Sequence, residues 1–282
     1  MPDIMSKESY EEIYNQGEHF SFGKNWQQFL KTLNDAKKEE AKKSLLDFLG
    51  KDFQIAGRSI IDIGSGSGLF SLAFHSLGAK TMKSVDVDDF SLACTKELWR
   101  QSGSPDNWSV EKISALDESA LRALGEFDLV YSWGVLHHTG DMWRAIANSL
   151  PLVSDKGYFY ITLYNKNEKA WLEGTSEFWL KAKVFYNKRG SFIKSILERI
   201  YAAYLCLGLL VHGINPWQYV ADYKSARGMD FMTDVRDWLG GHPYEYASVD
   251  EVSSFFQEHG FNLVNVKEVR SIGCNEFLFK HE

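Results

Sequence analysis

Asp62-Ile63-Gly64-Ser65-Gly66-Ser67-Gly68 decides how this chain is read. It closes Arg58-Ser59-Ile60-Ile61-Asp62-Ile63, a short apolar run that ends abruptly in glycines as a buried parallel strand does. An apolar helical pattern over residues 69–77 follows it. Without side chains at 64, 66 and 68, backbone can approach a ligand closely, and the start of the helix offers N–H groups to an anion. Eighteen residues beyond Gly68, where the next strand (82–87) ends, stands Asp86 with Val87 beside it. A carboxylate at that place can accept both hydroxyls of a ribose.

Outward from the loop, helix-like and strand-like segments alternate over 91–101, 108–113, 127–132, 143–149 and 158–164. That rhythm predicts a parallel sheet covered on both faces by helices. It stops for about eighty residues, too long for a structureless connection, so an insertion with its own helices is expected. Order resumes at the capping box Ser248-Val249-Asp250-Glu251, which opens a helix and leads to two strands, 261–269 and 275–280, read as an antiparallel pair. Upstream, residues 26–49 carry apolar side chains at helical spacing and end at Gly50. The chain therefore divides into an N-terminal helical segment (1–56), an α/β core (57–164), a helical insertion (165–245) and a closing helix and strand pair (246–282). The class is α/β, a doubly wound and mostly parallel sheet.

Hydrophobic residues at 44%, charged residues at 24% and five prolines are the usage of an ordinary globular chain, and 282 residues suit one elaborated domain. The net charge of −7 gives no general attraction to nucleic acid or anionic lipid. Cys94, Cys206 and Cys274 are odd in number and form no C-x-x-C pair, so neither a disulfide framework nor a cysteine zinc site is expected, and a reducing compartment fits. No other metal-ligand cluster is evident. The first residues lack a basic stretch followed by an apolar run, which points to a cytoplasmic protein. The longest uncharged run, 200–214, is shorter than the roughly twenty apolar residues that span a bilayer. It reads as a buried helix in preference to a membrane-contacting surface, and no stable membrane insertion is expected.

Three cofactor classes compete for the loop. The dinucleotide fingerprint needs glycine or alanine at 69 or 71, where Leu69 and Ser71 stand, and a phosphate-gripping loop needs a lysine that is absent. S-adenosylmethionine remains: its carboxylate can use the amides at the helix end, and Asp62 supplies a negative neighbour for its ammonium and sulfonium. The loop resembles motif I of the class I S-adenosylmethionine-dependent methyltransferases, acidic-x-G-x-G-x-G. The resemblance runs from about residue 58 to 164 and resumes through the closing helix and strands. It implies a seven-stranded sheet with the last strand antiparallel, a ribose contact at Asp86, and an adenine loop at Ser114-Ala115-Leu116-Asp117. It also implies a reaction above the strand ends, beside Ser132 and Trp133. Gly134-Val135-Leu136-His137-His138 is similar to the turn after the fourth strand in small-molecule members. Ser132-Trp133-Gly134-Val135 departs from the N/D-P-P-Y/F/W motif of enzymes that methylate base amines.

Methyl transfer from a sulfonium is an in-line displacement, so positioning comes first. A hydroxyl acceptor must also lose its proton, which a neutral histidine can take. His138 is the first candidate, ahead of its neighbour His137 and of His242 in the insertion; alternatively the pair only fixes its turn. Trp143, Tyr164 and Asn165 near the strand ends, with Arg227 and Trp238 of the insertion, are candidate acceptor contacts. Core packing for the aromatics and a turn for Asn165 are the competing readings. The insertion reads as a lid, and Tyr10, Tyr14, Phe20, Phe22 and Trp26 either close the other side of the pocket or pack on the sheet. The function expected is methylation of a small-molecule hydroxyl on a sugar, quinone precursor or other secondary metabolite. An RNA methyltransferase or a non-catalytic binding module is the alternative. No nucleic-acid partner is expected, and a homo-oligomer is compatible with this reading.

Overall fold

The computed structural model describes residues 22–51, 53–169, 174–227 and 231–282. The apolar run before the glycine loop forms β1 (Ser59–Ile63), with its last four residues buried, as a strand covered on both faces requires. The strands β2 (Thr81–Asp86), β3 (Trp108–Lys112), β4 (Phe127–Trp133), β5 (Val153–Tyr164), β6 (Phe261–Lys267) and β7 (Cys274–His281) complete one sheet. Its order is β3-β2-β1-β4-β5-β7-β6, with β1 to β5 parallel and β7 antiparallel to both of its neighbours. The order reverses at β1 and β4, so their carboxyl ends border the crevice where open α/β sheets hold ligands.

Both faces are covered. On one, α2 (Asp35–Leu49), α3 (Leu69–Ser76) and α4 (Asp89–Gln101) bury Leu45, Phe74 and Leu98 against Ile60, Met82, Leu129 and Tyr160. On the other, α5 (Glu118–Arg122), α6 (Met142–Ser149) and α11 (Val249–Glu258) bury Leu121, Ile146 and Phe256 against Ile61, Val130 and Phe159. The expected capping box opens α11: Ser248 Oγ accepts from Glu251 N and the Glu251 carboxylate accepts from Ser248 N.

The helical stretch 26–49 is two helices, α1 (Phe22–Leu30) and α2. Thr32 Oγ1 donates back to Phe29 O, and Asn34 Oδ1 accepts from Lys37 N at 3.0 Å and so starts α2 afresh. Tyr10, Tyr14, Phe20 and the Phe22 side chain lie outside the described residues.

The described residues fall into two compact units, the sheet unit (Phe22–Ser176 with Glu245–Glu282) and Glu177–Tyr244. The second carries α7 (Ser176–Asn187), α8 (Ser191–Val211), α9 (Pro216–Arg227) and α10 (Phe231–Gly240). Here one expectation is overturned: the run 200–214 is not buried. Ile200, Leu207, Leu210 and Val211 are all more than half exposed, and the buried residue of α8 is Glu198. Glu198 is held by Tyr186 Oη, which donates to it at 2.8 Å, and by Arg236 Nε at 3.0 Å. A buried carboxylate persists only with such partners.

Candidate active site

Three glycines in the left-handed region, Gly64, Gly66 and Gly68, turn the chain from β1 into α3. A Cβ on Gly64 would overlap the Val135 side chain, and one on Gly68 would stand 2.7 Å from Thr95 Cα in α4. A Cβ on Gly66 would stand 3.0 Å from Nε1 of Trp26, so α1 lays an indole over the middle of the loop. The loop is also anchored from below. Gly64 N and Ser65 N donate to Val85 O at 2.8 and 3.1 Å, Ser65 Oγ pairs with Thr95 Oγ1 at 2.9 Å, and Gly66 N donates to Asp86 Oδ2 at 2.9 Å.

Asp86 thus ties the loop to the end of β2, and its other oxygen accepts from Asp88 N at 2.9 Å. Burial pushes its carboxyl up to about 6, against the opposing effect of the Asp88 and Gly66 amides. Asp62 lies deeper, at the end of a buried relay. Trp108 Nε1 donates to Ser84 Oγ, Ser84 Oγ to Ser71 Oγ, and Ser71 Oγ to Asp62 Oδ2 at 2.6 Å. Burial pushes Asp62 up to about 7; the Ser71 bond opposes this and the nearby Asp86 charge adds to it. Half-buried Val87 follows Asp86.

The remaining candidates of this group line the same rim. Ser114, Ala115 and Leu116 form a turn after β3 in which Leu116 N donates to Ser114 Oγ, while Asn148 of α6 donates to Ala115 O at 3.0 Å. Ser132 Oγ donates to Ile63 O at 3.0 Å and holds β4 to β1. Trp133, 43% exposed, projects past the end of β4 and stacks on Phe70 of α3 at 6.3 Å. The structure therefore gathers the glycine loop, Asp86, the 114–116 turn and Trp133 around neighbouring strand ends.

His137 and His138 form a single 3₁₀ turn after β4. His137 is buried, its ring 4.1 Å from that of Tyr164, and its Nδ1 accepts from Tyr164 N at 3.2 Å. This acceptor role fixes the neutral tautomer with hydrogen on Nε2. His138 is half-buried and meets the Tyr164 ring edge-on at 5.4 Å. Asn165 is drawn away from the rim: its Nδ2 donates to Val269 O and Ser271 O at 3.1 Å, and its Oδ1 accepts from Asn275 Nδ2. Its side chain clasps the bend between β6 and β7. Trp143 packs on Phe255 at 4.9 Å and lines a groove of about 580 Å³ between α6 and α11, together with Lys166, Tyr246 and Glu251.

One residue of the sheet unit falls outside the expectations. Glu245, assigned to the insertion from sequence, caps α6 from far along the chain. Its carboxylate accepts from Gly140 N and Met142 N at 3.0 Å each, and its own N–H donates to His137 O at 3.0 Å. Burial raises its carboxyl against these two bonds. No local spacing signals a cap supplied from about a hundred residues away.

His242, Arg227 and Trp238 belong to the second unit. His242 is half-buried after α10. Arg227 closes α9, and its side chain lies outside the described residues. Trp238 faces Lys183, whose Nζ donates to Trp238 O and lies 4.1 Å from the indole centroid. Lys183 is fully buried. Among the described residues, no cluster of three or more histidine, cysteine, aspartate or glutamate side chains is placed to hold a metal ion.

Comparison with known proteins adds three findings. A family model for a methyltransferase domain matches residues 33–266. Two curated relatives, both ubiquinone biosynthesis O-methyltransferases, are 30% identical over 118 residues (Thiobacillus denitrificans) and 28% identical over 127 (Aromatoleum aromaticum). These matches cover 42% and 45% of this chain and 49% and 53% of the relatives, so the chain spans about half the length of the curated relatives it matches. The solved magnesium protoporphyrin IX methyltransferase of Synechocystis, crystallised with bound SAH, shares the fold with a TM-score of 0.57 at 11% identity, over 96% of this chain and all of that one.

Proposed function

The chain belongs to the methyltransferase-domain family, and from that premise we propose that it transfers a methyl group from S-adenosylmethionine to a hydroxyl oxygen of a small-molecule acceptor, a quinone precursor first among the candidates. The observation that carries the reading is the Asp86 carboxylate fixed beside the glycine turn. Two backbone N–H groups at 2.9 Å orient it, and its remaining acceptor positions suit a vicinal diol. The left-handed glycines turn the chain sharply from β1 into α3, with Val135, Trp26 and Thr95 packed where side chains would stand, and the raised carboxyls of Asp62 and Asp86 are what a cationic ligand returns to their charged form. These residues fit the cofactor. Asp62, Gly64, Ser65, Gly66, Gly68 and Asp86 would hold it, with Val87, Ser114, Ala115 and Leu116 along its purine and Ser132 and Trp133 beside its reacting end. When bound, S-adenosylmethionine supplies an electrophilic methyl group.

The chain's own part is to place and deprotonate the acceptor. His138, at the partly open face of its turn, takes the hydroxyl proton, while neutral His137 holds that turn against β5 through Tyr164 N. Tyr164 and Trp133 offer ring surface to a flat acceptor. The names of the two curated relatives support oxygen as the atom methylated and a quinone precursor as the acceptor class. The net charge of −7 weighs against an RNA acceptor. A cytoplasmic place of action belongs to the same reading.

Isothermal titration with S-adenosylmethionine, followed by labelled methyl transfer to a panel of catechols, hydroxyquinones and nucleotide sugars, tests it. Tight binding weakened about 100-fold by Asp86→Ala is expected, with an oxygen-methylated product identified by mass spectrometry. His138→Ala should lower kcat about 100-fold and leave cofactor affinity nearly intact. Absence of binding, or label found on nitrogen or carbon, overturns the proposal.

A further inference from the structure

Helix α8 is inverted. Its charged Glu198 faces the interior of its own unit, bonded to Tyr186 and Arg236, while Phe192, Ile196, Ile200, Leu207, Leu210 and Val211 are between 40% and 79% exposed. At 100° per residue those six side chains fall within an arc of about 100°, one continuous apolar stripe along the helix. Past the end of α8, Ile214 in the turn is 45% exposed and Trp217 at the start of α9 86%. A monomer in water rarely leaves so long a stripe uncovered unless it meets a partner.

Charge says which partner. Between residues 188 and 220 the chain carries Lys188, Arg189, Lys194 and Arg199, and its only acidic side chain there is the buried, paired Glu198. Lys188 and Arg189 stand at the amino-terminal end of the stripe and Arg199 flanks it, in a protein whose overall charge is −7, while Lys194 turns to the side of Glu198 with its Nζ 5.2 Å from the Tyr186 ring centroid. An apolar stripe edged with cations, with an indole exposed at its far end, is complementary to an anionic lipid surface. α8 and the first part of α9 (Pro216–Tyr223) are bent by 119° at their break, and among the described residues no single helix is long and apolar enough to cross a membrane. The geometry is that of a surface-lying device.

We propose that the exposed face of α8 and the start of α9 dock this protein on anionic lipid bilayers, with the apolar stripe in the headgroup region and Lys188, Arg189 and Arg199 against lipid phosphates. The site is separate from the glycine loop, and it stands whether or not the proposed reaction is correct.

Co-sedimentation with vesicles of phosphatidylcholine alone, and of phosphatidylcholine mixed with phosphatidylglycerol, tests the proposal on the full chain. Wild-type protein pellets with the mixed vesicles, pellets less with the neutral ones, and is released by salt. Leu207→Asp with Leu210→Asp changes exposed side chains only; it weakens binding by about tenfold or more with the circular dichroism spectrum and melting curve unchanged. Lys188→Glu with Arg189→Glu and Arg199→Glu removes the preference for anionic vesicles. Failure of the wild type to pellet with either vesicle overturns the proposal. So does a wild-type dimer that Leu207→Asp with Leu210→Asp turns into a monomer while vesicle binding persists, since the stripe would then be covered by a second copy.

Discussion

Asp62 lies inside the sheet unit with its carboxyl pushed up to about 7, and Asp86, at the loop, up to about 6; burial is the main cause in both. An aspartate in an unfolded chain titrates near about 3.9, so between about pH 4 and pH 7 the folded protein holds protons that the unfolded one has released. The stability tied to these groups is therefore full at about pH 4 and is lost as pH rises through 6 to 7. Asp62→Asn keeps an oxygen for Ser71 and removes the titration. Urea unfolding of the wild type is expected to show stability declining between about pH 4 and pH 7, and the variant should flatten that decline; equal slopes would refute it. On the proposed site, where these two residues hold the cofactor, a cationic ligand favours the two carboxylates, so affinity for S-adenosylmethionine is expected to rise over this interval with release of protons on binding. Calorimetry in two buffers of different ionisation heat reads that release directly. The meeting of the glycine turn with the strand-ending Asp86 was legible from residue types and their order. The relay from Trp108 through Ser84 and Ser71 was not, because three residues on three different elements announce nothing until the sheet brings them together.

Elements with local signals were readable, and those completed from elsewhere were not. β1, the glycine turn, α3 and β2 follow from a change of hydrophobic period around three glycines, and α11 from its capping box. α6 is different: Asp141 makes no side-chain cap, and the helix begins on the carboxylate of Glu245. Two bonds from helix-end amides to one carboxylate combine capping with the attraction of the helix dipole. Glu245→Ala should therefore cost about 1 to 2 kcal/mol in urea unfolding, and Glu245→Gln, which keeps one acceptor, less. The backbone bond from Glu245 N to His137 O survives both changes. An unchanged unfolding midpoint in Glu245→Ala would show that water replaces the cap at no loss. α8 failed to be read for a related reason. An uncharged run announces apolar side chains, but the side on which they end up is decided by Glu198, whose partners lie on α7 and α10.

Among the described residues, the two apolar clusters draw only on the sheet unit. Neither contains any residue of the segment Glu177–Tyr244, although that segment has buried Trp179, Tyr186 and Val235 of its own. The chain leaves and re-enters the sheet unit near one strand end: Ser176 N donates to Asn167 O at 2.8 Å, and Ala247 N donates to Tyr164 O at 3.0 Å. Burial of apolar area is the main favourable term in folding, so the sheet unit retains its own once the segment is gone. Replacing residues 177–244 by a short glycine-serine linker, with Glu245 kept as the cap of α6, should give a protein that unfolds cooperatively and binds S-adenosylmethionine within a few-fold of the full chain. The same protein should no longer pellet with anionic vesicles, because the stripe leaves with α8. Loss of cooperative unfolding would show that the second unit shares the core, and retained vesicle binding would move the lipid contact to the sheet unit.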